Sequence, residues 1–227
     1  MAFTEEGLFL MSSYAAYYEF GTTIVLDDFK NVRRTVSVMT EDLIATGLEE
    51  NMPIDEEAYA ILAAGCETYE AAARGINLLG YSDKSKRAMA LALHRKGFDK
   101  DISVRAADVL EEYGYIDEVR QIERRAEVMI RKKYGKSRIM SDLHVKGYDL
   151  SRVDEWVSGE SFQSIDFGAL CADYVRERGG FPSEYPEKRR FVTSLYRMGY
   201  GAAEIKRAAS ILRNEEEEQE GEPALTV

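Results

Sequence analysis

Three lysines hold one position in a recurring pattern. Lys86, Lys136 and Lys188 each lie eleven residues before a glycine, Gly97, Gly147 and Gly199. Further cations surround them: Arg87, Arg95 and Lys96 near the first, Arg131, Lys132, Lys133 and Arg138 near the second, Arg189 and Arg190 beside the third. Charge recurring in register is what a polyanion or an acidic protein groove would meet. The plainer reading is solvated charge whose stems cover apolar surface. Each lysine falls near the start of a helix, where the macrodipole disfavours a cation by about 0.3–1 kcal/mol. Helix stability therefore does not explain them, and a shared basic ridge is the candidate site.

Signals of catalysis are absent. The chain has no phosphate-cradling glycine loop followed by Lys-Ser/Thr, no paired-histidine metal helix and no nucleophile elbow. His94 and His144 occupy the same place in two copies of the pattern, but the third has Tyr196 there. They read as exposed helix-end residues rather than ligands. Cys66 and Cys171 stand apart, with no second Cys or His at metal spacing, and read as small apolar residues in a reduced cytoplasm. Acidic residues form no convincing pair in sequence. The expectation is a chain with no catalytic residue, metal or cofactor.

The elements that must position the lysines are announced by a block, Leu-x-x-x-Gly-aromatic, found as Leu93…Gly97-Phe98, Leu143…Gly147-Tyr148 and Leu195…Gly199-Tyr200. A period near 50 residues signals stacked supersecondary units. With the glycine left-handed just past a helix end, the leucine and the aromatic residue occupy the two positions that touch in a Schellman turn. Apolar spacing places three helices in each unit. The first carries Ala72, Ile76 and Leu79; then Ile122, Ala126, Met129 and Ile130; then Phe167, Leu170, Cys171, Tyr174 and Val175. The second ends in the block. The third buries Ile102, Ala106 and Val109; Val153, Trp156 and Val157; Ile205, Ala209 and Leu212. The expected units span 66–113, 116–157 and 162–213.

Ahead of them, residues 1–65 read as an acidic module. Tyr17–Phe20, Thr22–Leu26 and Thr35–Val38 suggest two or three short strands, with Asp27-Asp28 turning the chain. Thr40 would cap a short helix stopped by Gly47, and Asp55 would open another reaching about Ala64. Residues 214–227, Glu-rich, read as a disordered tail. The fold class expected is mainly α: a tandem array of three three-helix repeats forming an elongated, curved molecule, with a small mixed α/β module in front.

Charge follows the same division. The formal net charge is −11. Residues 1–65 hold 12 acids and 3 bases, residues 214–227 hold 6 acids and no base, and the stretch between holds 27 bases and 23 acids. The repeat region is thus mildly basic between acidic flanks. No apolar run approaches a membrane span, and Met-Ala-Phe-Thr-Glu-Glu is acidic where a secretory signal is basic. A cytoplasmic protein without membrane contact is expected.

Gly114-Tyr-Ile-Asp117 with a basic helix, Lys133-Tyr-Gly-Lys-Ser-Arg-Ile139 and Leu143-His-Val-Lys-Gly-Tyr148 resemble the RecX regulatory proteins. Lys86-Arg-Ala-Met with Leu93-His-Arg-Lys-Gly-Phe98, and Lys188-Arg-Arg-Phe with Leu195-Tyr-Arg-Met-Gly-Tyr200, extend the likeness over about residues 54–213. The resemblance implies tandem three-helix repeats and a non-enzymatic regulator that binds the RecA recombinase. It implies lodging in the groove of the RecA filament on single-stranded DNA and inhibition, which modulates homologous recombination, DNA repair and the SOS response. RecA and its filament are the implied partners, with weak direct contact to single-stranded DNA, and the protein itself a monomer. Two rivals stand beside this reading. One is a stand-alone helical nucleic-acid-binding protein, against which the global acidity counts. The other is a helical-repeat adaptor for some other protein.

Overall fold

A computed structural model of the chain describes residues 8–28 and 32–221. The chain divides into two compact units, Met1–Asp117 and Glu118–Val227, and each is built differently. As expected, the fold is mainly helical with a small three-stranded antiparallel sheet near the N-terminus.

The first unit opens with β1 (Phe9–Ala15), β2 (Gly21–Asp27) and β3 (Arg34–Met39), in the order β1-β2-β3. Ile24, Leu26 and Val38 pack with Leu8 and Leu10 on Ala58 and Leu62. Thr22–Leu26 and Thr35–Val38 form strands as expected, within β2 and β3, but the first strand lies earlier than the sequence suggests: Tyr17–Phe20 is a connection, not a strand. Gly21 donates its N–H to the Tyr18 carbonyl at 3.0 Å, and the Tyr18 ring stacks on Phe20 with centroids 5.4 Å apart. The aromatics there fold onto Tyr69 instead of alternating across a sheet.

Helix α1 (Thr40–Thr46) follows, with Gly47 left-handed at φ 63° behind it. Thr40 does not cap it. Met39 holds that position, and the Thr40 hydroxyl lies 2.9 Å from that of Thr22. Asp55 does cap α2 (Glu56–Leu79), accepting the Ala58 N–H at 2.8 Å. This helix runs unbroken through residue 65, where the sequence suggests a boundary. One end packs on the sheet, while its Tyr69, Ala71 and Ala72 pack on α3 (Lys86–His94) and α4 (Lys100–Glu112). Gly65 lets α1 lie close against this helix, since a Cβ there would meet Asp42 Oδ2 at 2.5 Å. Arg105 of α4 reaches Glu41 and Asp42 of α1, at 2.6 Å each, fastening the sheet module to the helices.

The second unit consists of α5 (Glu118–Arg131), α6 (Lys136–Lys146), α7 (Leu150–Ser158), α8 (Glu160–Gln163), α9 (Phe167–Arg176), α10 (Tyr185–Met198) and α11 (Ala202–Gly221). Phe162 and Phe167, placed by the sequence in the third repeat, are buried in the core of α5–α7 beside Trp156. Residues 214–221, which the composition assigns to a disordered tail, continue α11. Glu is a good helix former, and the Arg176 guanidinium holds Glu215 at 2.7 Å. Residues 222–227 lie outside the described part.

All three copies of the block end a helix as the spacing predicts. The glycines have φ of 102°, 78° and 96°. The aromatic N–H returns to the leucine carbonyl at 3.4 Å for Phe98, 3.4 Å for Tyr148 and 3.1 Å for Tyr200, and each glycine N–H closes the inner bond at 3.0 Å. Leu93, Leu143 and Leu195 are fully buried. A residue without Cβ at the left-handed position makes this turn inexpensive.

Candidate functional site

The basic residues fall into environments that the sequence does not distinguish. Lys86 begins α3 behind a Ser85 cap. Its ammonium lies 3.1 Å from Asp108 and 2.9 Å from Glu111 of α4. The hydrogen bond to Glu111 is the leading reason that its pKa is raised. The cation disfavoured by the α3 dipole is thus held by carboxylates of the next helix. Arg87, Arg95 and Lys96 are exposed and make no ion pair among the described residues.

In the second unit, Lys136 and Arg138 lie in the first turn of α6, both exposed. The Lys136 ammonium sits 5.4 Å from the centroid of the Phe162 ring, and the Arg138 guanidinium 5.7 Å from that of Tyr134. These rings orient the cations without neutralising them. Arg131 and Lys132 close α5 and are exposed. Lys133 belongs to the fold: it is left-handed at φ 58° and pairs with Glu177 at 2.6 Å. Lys188, Arg189 and Arg190 are exposed along the first half of α10.

What positions Lys136 and Arg138 is a junction that sequence reasoning missed. The first turn of α6 has no side-chain cap. Its Gly135 N–H donates to the Met198 carbonyl at 2.9 Å and its Ser137 N–H to the Gly199 carbonyl at 3.1 Å. The orphan donors of α6 and the orphan acceptors of α10 satisfy each other. The positive end of one dipole faces the negative end of the other. Gly135 and Gly199 pack so closely that a Cβ on either would overlap the backbone across the junction. The Tyr200 hydroxyl donates to the Lys133 carbonyl at 2.7 Å, and burial raises its pKa. Part of the signal is present, since Gly199 and Tyr200 belong to the recurring block, but Gly135 stands where the other copies have Ser85 and Glu187, and the pairing is long-range.

Residues that could suggest chemistry are occupied structurally. His94 Nδ1 lies 3.0 Å from the Phe98 carbonyl, a contact it makes as a donor, and His144 is exposed. Burial raises the thiol of Cys66 to about 11 and that of Cys171 to about 12. Both remain protonated at neutral pH and are poor nucleophiles. No cluster of three metal-ligating side chains occurs among the described residues. No helix among them is long and apolar enough to cross a membrane.

No family model matches the chain. It is 27% identical over 157 residues to "Regulatory protein RecX" of Treponema pallidum subsp. pallidum, covering 64% of this chain and 92% of that protein. The protein of the same name from the Nichols strain of Treponema pallidum gives the same values. A crystal structure of regulatory protein RecX has a TM-score of 0.65 at 18% identity, covering 88% of this chain and 97% of that one. The crystal structure of RecX from Lactobacillus salivarius has a TM-score of 0.53 at 17% identity, covering 65% and 97%.

Proposed function

Because its sequence relatives and structural neighbours together support a RecX family regulatory protein, we propose that the chain binds RecA, or the RecA filament on single-stranded DNA, and inhibits it. In this reading it is a non-enzymatic, cytoplasmic regulator of homologous recombination and the SOS response. The observation that carries the reading to particular residues is the α6–α10 junction. It fixes the backbone under Lys136 and Arg138 while leaving both cations exposed. Arg131, Lys132, Lys188, Arg189 and Arg190 are also exposed on this unit, and Arg87, Arg95 and Lys96 on the other. Lys86 and Lys133 are engaged inside their own units and contribute to folding first.

A rigidly presented set of cations favours an acidic protein surface, or phosphate brought close by one, over free DNA. The net charge of −11 repels bare polyanion at long range. The test is RecA-catalysed ATP turnover on single-stranded DNA with increasing amounts of the protein. Progressive loss of turnover is expected. Normal assembly and turnover at excess protein would remove the inhibitory reading.

A further inference from the structure

A groove of about 700 Å³ runs between α10 and α11. Along one wall, Lys188, Val192 and Tyr196 recur every fourth residue and so share a face of α10. Along the other, Ile205 and Leu212 line the floor while Lys206 and Arg213, seven apart, share the rim. The groove is open because the chain reaches α10 through Gly179 and Gly180, at φ 86° and 90°, and delivers its first residues into solvent: 183–190 are all exposed.

We propose that this groove docks an acidic amphipathic helix of a partner protein. The proposal stands independently of the RecA reading. Three features select the occupant. Both walls are helices whose backbone groups are already bonded internally, so an extended peptide would leave its own unpaired, whereas a helix satisfies itself. The floor is apolar and offers no convergent set of buried polar groups for a small metabolite. The rim is cationic. Lys188, Lys206 and Arg213 make no ion pair among the described residues, whereas Glu215 is already held by Arg176 at 2.7 Å. That leaves Glu216 as the acid facing three cations along the groove. The span from Ala202 to Arg213 rises about 16 Å, which matches three turns of a docked helix.

The probe is a pair of synthetic helical peptides of about 12 residues with the same Leu stripe at i, i+3, i+4 and i+7, one bearing Glu elsewhere and one Lys. Each is titrated into the isotope-labelled full chain. The Glu peptide is expected to shift the amides of Val192, Ile205 and Leu212 saturably and to bind about tenfold more tightly than the Lys peptide. Lys206→Glu with Arg213→Glu should weaken the Glu peptide about tenfold and leave the rest of the spectrum in place. Absence of localised shifts, or equal affinity for both peptides, overturns the proposal. So does displacement of the Glu peptide by a single-stranded oligonucleotide, which would make the groove a nucleic-acid site. If deleting residues 222–227 alone shifts the same amides, the chain's own end fills the groove and the proposal also falls.

Discussion

Gly135 and Met198 join two helices end to end: the amide of the first donates to the carbonyl of the second at 2.9 Å. The third copy of the block therefore does more than stop α10. By exposing the Met198 and Gly199 carbonyls, its left-handed turn supplies the cap that α6 lacks. It thereby fixes the turn that carries Lys136 and Arg138.

The same substitution should accordingly cost different amounts in different copies. Gly97 has nothing within reach of an added Cβ, so Gly97→Ala should cost only the left-handed penalty, about 1–2 kcal/mol. At Gly199 a Cβ would overlap the Arg138 backbone, adding about 1–3 kcal/mol of overpacking. Urea unfolding of the two variants measures the difference. Equal losses would contradict the junction.

Tyr200→Phe keeps the buried ring and removes the bond to the Lys133 carbonyl. Its unfolding free energy should drop by about 1 kcal/mol. An unchanged unfolding free energy would contradict a stabilising role for that bond.

Acid should destabilise the fold in a defined window. Arg125 grips Asp142 through two bonds, 2.6 and 2.9 Å, and this grip is the leading cause of a carboxyl pKa held below the usual range. A depressed folded-state pKa gives stability that is complete above the unfolded value of about 4 and is lost as pH falls through the lower folded value. The helix-capping Asp149 and the Arg207-bound Asp166 are lowered as well and act in the same direction. Thermal melts from pH 7 to pH 2 should show Tm falling below about pH 4. Asp142→Asn should start lower at pH 7 and fall less steeply.

Much of this fold is legible in the sequence because its strongest signals are local. Helix faces such as Ile122/Ala126/Met129 and the three glycine turns depend on neighbours a few residues away. What escapes depends on distant partners. Tyr17–Phe20 has strand-forming residues, but Tyr69 draws their rings into a turn. Thr40 has a cap's chemistry, but Thr22 takes its hydroxyl. The in-register lysines look equivalent until Asp108 and Glu111 engage Lys86 while Phe162 leaves Lys136 available.

That difference separates two variants. Lys86→Gln should lower stability by about 0.2–1 kcal/mol, the range for exposed ion pairs, and leave partner binding nearly unchanged. Lys136→Glu with Arg138→Glu should retain helicity by circular dichroism yet weaken filament binding about tenfold or more. Unchanged binding would remove those two residues from the surface.

The most direct measurement compares affinity for RecA filaments on single-stranded DNA with affinity for the bare DNA across a salt series. The account predicts clear preference for the filament and weak binding to DNA alone at every salt concentration. Tight binding to bare DNA, falling steeply with salt as counterion release requires and gaining nothing from RecA, would contradict it.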